Sequence, residues 1–175
     1  RRRAGAAIFT TGPAGGPGMF FGADCSRASR VLAPSAMSSV KTASPEEVQA
    51  LVAEGYVYVD VRTEAEFSAG HPAGALNVPF SSKGVPNPDF VPVLERALGK
   101  DAKIILGCAS GPRSLKAAKA LVQAGFTNLV DMPCGFTGGR DEFGRPTPGW
   151  SQKSLPTETG TPAGQSYADM KARTR

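Results

Sequence analysis

Two rhythms of apolar residues run through the middle of the chain. YVYVDV at 56–61 and KIILG at 103–107 are β-branched, aromatic or apolar almost throughout, the composition of strands buried on both faces. ALNV (75–78) and NLVD (128–131) are two further strand candidates. Between them the spacing becomes helical. Ser44-Pro45-Glu46-Glu47 is a capping box with proline at the first helical position; Val48, Leu51 and Val52 share a face, and Gly55 ends the run. Thr63 and Glu66 form a second capping box for a short helix closing near Gly70. FVPVLERAL predicts a helix up to Gly99, with its start left open by Pro92. Leu115, Ala118, Leu121 and Val122 mark one face of a helix from Arg113 to Ala124, stopped by Gly125. Strands alternating with short amphipathic helices predict an α/β fold: one domain, a small parallel sheet flanked by helices on both faces.

The flanks carry no such rhythm. Residues 81–89 read as a loop, and PCGFTGGRDEFGRPTPGW after Met132 is turn-rich. Residues 151–163 read as a polar linker, with one helical turn expected in SYADMKAR. The expected organisation is a leader at 1–36, a domain at 44–150 and a polar C-terminal tail at 151–175.

Charge is unevenly placed. Of the formal net charge of +5 at pH 7, residues 1–36 hold five arginines against Asp24, whereas the remainder carries 15 basic and 14 acidic side chains. The near-neutral domain gives no argument for a nucleic-acid surface. The leader, rich in Arg, Ala, Gly and Ser and nearly free of acids, has the composition of a transit peptide. The expectation is a chloroplast address; a mitochondrion, or the cytoplasm if translation starts at Met37, are the alternatives. No run approaches the ~18 apolar residues of a membrane span. Cys25, Cys108 and Cys134 have neither zinc spacing nor a paired framework, and His71 is the sole histidine. No metal or other cofactor is expected, and a reducing compartment with a working thiol fits better than a disulfide scaffold.

The candidate chemistry lies in LGCASGPRS, 106–114. A buried strand runs into Cys108 and a helix begins near Arg113, so the cysteine falls at the carboxyl end of a parallel sheet, where open α/β folds bind ligands. The loop between them, with Gly111 and Pro112 in it, can curl its amides inward around the sulfur. The helix N-terminus and Arg113 add positive charge. Surroundings of this kind favour the thiolate, so Cys108 is expected to act without a histidine base. The competing reading is a small buried hydrophobe at a strand end.

YVYVDVRTEAEFSAGHPAGALNVPF resembles the first signature of the rhodanese family, and CASGPRS is similar to its active loop, Cys-x-x-Gly-x-Arg-Ser. FTNLVDMPCGFTGG resembles the segment that closes that domain. The resemblance covers residues 44–150 and implies a sulfurtransferase of the thiosulfate sulfurtransferase kind. Cys108 would take sulfur from thiosulfate or a persulfide, hold it as a persulfide, and pass it to a thiol or to cyanide. Ala109, Ser110, Gly111, Arg113 and Ser114 would line the substrate cradle, with Arg113 facing the anion and Ser114 helping to cap the helix. The partners the resemblance implies are a small sulfur donor and a thiol acceptor, a thioredoxin-type protein being one candidate. Four residues separate Cys108 from Arg113, whereas related phosphatases and arsenate reductases carry five, which favours sulfur over phosphoryl transfer. Ala109 stands where a larger polar residue is common, and Pro112 removes one amide N–H. Both turn attention from thiosulfate to a persulfide donor. They also keep open a second reading, a protein-interaction or sulfur-relay module with little small-molecule turnover.

Other polar residues are expected to be structural. Asp60 and Arg62 read as an ion pair fixing a turn, His71 as a hydrogen-bonding core residue, and Trp150 as a packing anchor. Cys134 reads as an unpaired loop cysteine, with a resolving role for Cys108 as the alternative. Arg140 and Arg145 read as parts of a solvated turn.

Overall fold

The computed structural model describes residues 40–141 and 143–173; the proposed transit segment, 1–36, lies outside them. In chain order the elements are β1 (Lys41–Thr42), α1 (Pro45–Ala53), β2 (Val57–Asp60), α2 (Glu64–Ala69), β3 (His71–Pro72), β4 (Leu76–Asn77), β5 (Ser81–Ser82), β6 (Val85–Pro86), α3 (Phe90–Ala97), β7 (Lys103–Gly107), α4 (Pro112–Gln123), β8 (Asn128–Met132), β9 (Gly139–Arg140), β10 (Pro146–Thr147), a 3-10 turn (Trp150–Gln152), β11 (Thr157–Glu158) and α5 (Tyr167–Ala172). Five strands form a parallel sheet in the order β1-β8-β7-β2-β4. The α/β expectation holds.

Alternation along the central strands divides the core in two. Val59, Ile104, Leu106 and Leu129 meet α3, α4 and α5 through Leu94, Leu121 and Met170. Tyr58, Ile105, Val130 and Met132 point the other way and meet Val48 of α1, Phe67 of α2 and Trp150. A period of two on strands buried on both faces requires this arrangement. Both capping boxes form: the Glu47 amide donates to Ser44 Oγ and the Glu66 amide to Thr63 Oγ1. Pro92 is the third residue of α3, where an amide has no intrahelical acceptor, so it costs the helix nothing.

Four expectations are corrected. Regular structure begins before Ser44, because Lys41 and Thr42 pair with Val130 and Asp131 as an edge strand. Leu115 and Val52 are not core residues: they are 42% and 38% exposed, and α4 instead buries Ser114, Ala117, Ala118 and Leu121. The 81–89 loop contains a small hairpin, β5–β6. The segment after 150 is not a free polar tail. β11 pairs with β3, the Asn77 amide donates to Gln165 O, and Met170 is fully buried among the α3–α4 residues. Its anchors, Trp150, Leu155, Tyr167 and Met170, are too widely spaced to register as a periodic pattern.

Candidate active site

β7 ends at Gly107, and Cys108 leaves the carboxyl end of the sheet between the ends of β2 and β8. The site is framed by three segments: the Cys108 loop, the turn after β2, and the loop after β8.

The Cys108 loop is shaped by Gly111. This residue has φ +107°, and a Cβ there would stand 2.2 Å from Pro133 O, so only glycine can turn the chain here. The turn brings the Gly111 N–H to 3.0 Å from Cys108 Sγ, the bond the sulfur accepts within the described residues. Gly111 is also the N-cap of α4, and no side chain caps that end. Pro112 occupies the first helical position, where its missing N–H would have had no intrahelical partner. Ser114 does not cap the helix as expected. It is fully buried and its hydroxyl donates to Gly111 O at 2.8 Å, pinning the loop from below. Ser110 is exposed and Ala109 half-buried. Cys108 itself is 1% exposed.

The loop after β8 clamps this turn from the other side. Phe136 N–H donates to Cys108 O at 2.8 Å, and Thr137 gives both its amide and its hydroxyl to Ala109 O, each at 2.9 Å. Gly135 must lack a side chain, because a Cβ there would meet Ala109 O at 2.4 Å.

Arg113 departs from expectation. Its Nη1 and Nη2 donate to Glu66 Oε2 and Oε1 at 2.8 and 2.6 Å, so the guanidinium is held by α2 rather than turned freely on the sulfur. The pairing lowers the Glu66 carboxyl to about 2, chiefly through the Arg113 hydrogen bonds, and raises Arg113 in turn. Glu66 also accepts from Thr63 N and Oγ1 at 3.0 and 2.8 Å. The capping box marks Glu66 in the sequence; its second bond, across the fold to Arg113, leaves no local signal.

Asp60 and Arg62 pair as the sequence suggests. Both are buried, with Arg62 Nη2 2.6 Å from Asp60 Oδ2 and 2.7 Å from Gly70 O. The guanidinium lies 4.3 Å from the Phe136 ring centroid. The pair fixes the turn from β2 into α2, and hence the position of Glu66. His71 is fully buried, stacked on Phe67 at 3.6 Å, and its Nδ1 bonds Phe67 O at 2.8 Å. Trp150 is buried and its Nε1 donates to Pro156 O at 2.9 Å. Arg145 pairs with Asp141 at 2.7 Å, and Arg140 donates to Gly144 O.

Cys134 lies in the α1–α2 cluster, whereas Cys108 lies in the α3–α4 cluster, and both are free thiols. Burial raises the Cys134 thiol above its ordinary value. A cavity of about 720 Å³ borders Cys134, Pro133, Glu46, Arg140 and Lys153, and its lining does not include Cys108. Among the described residues no cluster of His, Cys, Asp and Glu could hold a metal ion, and no helix is long and apolar enough to cross a membrane.

A five-stranded parallel sheet with a buried cysteine at the carboxyl end of a central strand, held against a helix N-terminus by a glycine turn, defines an α/β domain with a cysteine-centred loop. Residues 44–142 match the model of the rhodanese-like domain. The chain is 39% identical over 112 residues to "Thiosulfate sulfurtransferase 16, chloroplastic" of Arabidopsis thaliana, covering 62% of this chain and 84% of that protein. It is 38% identical over 100 residues to "Thiosulfate sulfurtransferase GlpE" of Pseudomonas fluorescens (strain SBW25), covering 57% and 84%. The crystal structure of Rv0390 from M. tuberculosis superposes with a TM-score of 0.59 at 29% identity, covering 70% of this chain and all of that one. This chain belongs to the rhodanese-like domain family, a family of sulfurtransferases.

Proposed function

We propose that this protein is a sulfurtransferase that carries sulfane sulfur on Cys108. The observation that carries the reading is the 3.0 Å bond from Gly111 N–H to Cys108 Sγ, at the side-chain-free N-terminus of α4. An amide donor and the positive end of a helix stabilise negative charge on sulfur, including that on the outer sulfur of a persulfide. Cys108 Sγ attacks the outer sulfur of the donor. With thiosulfate, the S–S bond breaks and sulfite leaves with the electron pair. An acceptor thiolate or cyanide then attacks the outer sulfur of the persulfide and returns Cys108 as thiolate. The covalent intermediate requires ping-pong kinetics. Ala109, Ser110, Gly111, Arg113 and Ser114 form the cradle, Ser114 by holding the turn and Arg113 from its position against Glu66.

The Arg113–Glu66 pair supports a persulfide as physiological donor over free thiosulfate, because the guanidinium charge is matched by a carboxylate before any dianion arrives. The same feature favours the second reading, a sulfur-relay module with little small-molecule turnover. The chloroplastic relative and the acid-poor leader support a plastid address.

Intact mass measurement after incubation with thiosulfate or a glutathione persulfide tests the reading. A gain of one sulfur atom mapped to Cys108, lost in Cys108→Ser, is expected. No adduct with either donor would sink it. Adduct without thiosulfate:cyanide turnover selects the relay module.

A further inference from the structure

α4 begins four residues beyond Cys108, and its solvent face carries Lys116 and Lys119, which form no ion pair among the described residues. Pro112, Leu115, Lys116 and Lys119 are all exposed. Spacings of three and four place them side by side on one surface of the helix. α4 has no acidic residue, and among the described residues neither Lys116 nor Lys119 has a carboxylate within ion-pair distance. Arg62, Lys100, Arg113, Arg145 and Lys153 each hold a carboxylate, and of the cations of α4 only Arg113, beside the loop, is among them. Leu115 adds an apolar side chain, 42% exposed, one turn from the loop. The carboxylates on neighbouring elements do not reach this surface, since Glu66 is committed to Arg113 and Asp131 is buried. Cys108 is 1% exposed, so a partner must engage the loop closely to reach its sulfur.

We propose that this face of α4 docks the sulfur-transfer partner, a protein whose reactive thiol lies in an acidic segment. The inference rests on the sulfur-transfer reading and names the partner's chemistry. Acidic side chains flanking the thiol meet Lys116 and Lys119, an apolar neighbour meets Leu115, and the thiol is presented at the Cys108 turn. Complementary charge of this kind speeds encounter and selects partners, and it weakens with salt.

The test separates docking from chemistry. Two fluorescent peptides of equal length carry a central serine in place of the thiol, one flanked by glutamates and the other by lysines. Each is titrated with the full chain by anisotropy at low and at physiological salt. The glutamate peptide is expected to bind about tenfold tighter at low salt, with the advantage shrinking as salt rises. Lys116→Glu with Lys119→Glu should reverse the preference, and the milder Lys116→Gln with Lys119→Gln should abolish it. Cys108→Ser should leave it unchanged. Equal binding of the two peptides, indifference to either double substitution, or equally tight binding of an oligonucleotide of matching charge would overturn the proposal. Because no sulfur moves in this experiment, a Cys108 that fails to load sulfur would refute the function without touching the docking result.

Discussion

Arg113 and Glu66 lie 47 residues apart in sequence and make a two-bonded ion pair, 2.6 and 2.8 Å, across the mouth of the Cys108 loop. The pair ties α4 to α2. It also decides how much cationic character the site offers a small anion, since the guanidinium is already matched by a carboxylate.

Replacing Glu66 by Gln keeps the shape and removes that charge. Arg113 becomes available to a donor anion, and the KM for thiosulfate is expected to fall about tenfold, the equivalent of one charge-assisted hydrogen bond of ~1.5 kcal/mol. Steady-state kinetics with thiosulfate and cyanide check this. A KM that rises instead would show the pair to be a positioning device for the loop.

The same carboxyl gives a pH signature. Arg113 lowers Glu66 from 4.5 to about 2 in the folded chain. A carboxyl lowered by folding stabilises the native state above its unfolded value and loses that contribution as pH falls from about 4.5 towards about 2. With Glu66 36% exposed, solvent screening holds the contribution to about 1 kcal/mol. Urea denaturation at pH 6 and pH 3 should show the wild type losing roughly half of that contribution relative to Glu66→Gln, the remainder going only as pH approaches 2.

Gly111→Ala should damage both fold and chemistry. Alanine at φ +107° is strained, and its Cβ would press on Pro133 O. A stability loss of at least ~1–2 kcal/mol is expected in denaturant melts. Persulfide loading by mass should fall with it, because the turn that aims the Gly111 amide at Sγ is the one disturbed.

Met170→Ala tests whether the C-terminal segment belongs to the folded unit. A methionine wholly buried in the α3–α4 cluster should cost about 2–5 kcal/mol on truncation. A substitution in a free polar tail would cost nothing, so an unchanged Tm would remove α5 from the core.

Cys134 should be a poor nucleophile. Burial raises its thiol, so in a Cys25→Ser, Cys108→Ser chain its alkylation by iodoacetamide should stay slow at neutral pH and accelerate only above the ordinary thiol range. Cys134→Ser should leave sulfur transfer to thiols intact. Loss of transfer would bring back the resolving role.

The strands, both capping boxes and the strand–Cys–helix order are legible in the residues themselves, because each depends on neighbours a few positions away. A buried strand announces itself by an unbroken apolar run, as at 103–107, and a helix start by Ser44 with Glu47 or Thr63 with Glu66. The position of Cys108 at the carboxyl end of the sheet follows from that order alone. What the chain does between distant segments could not be read in the same way. Arg113 meets Glu66 across 47 positions, Pro133 forces glycine at 111 across 22, and Met170 completes a core drawn from residues 59 to 129. No local periodicity encodes them, and only the packing of α2, α4, α5 and the loop after β8 around one sheet brings them together.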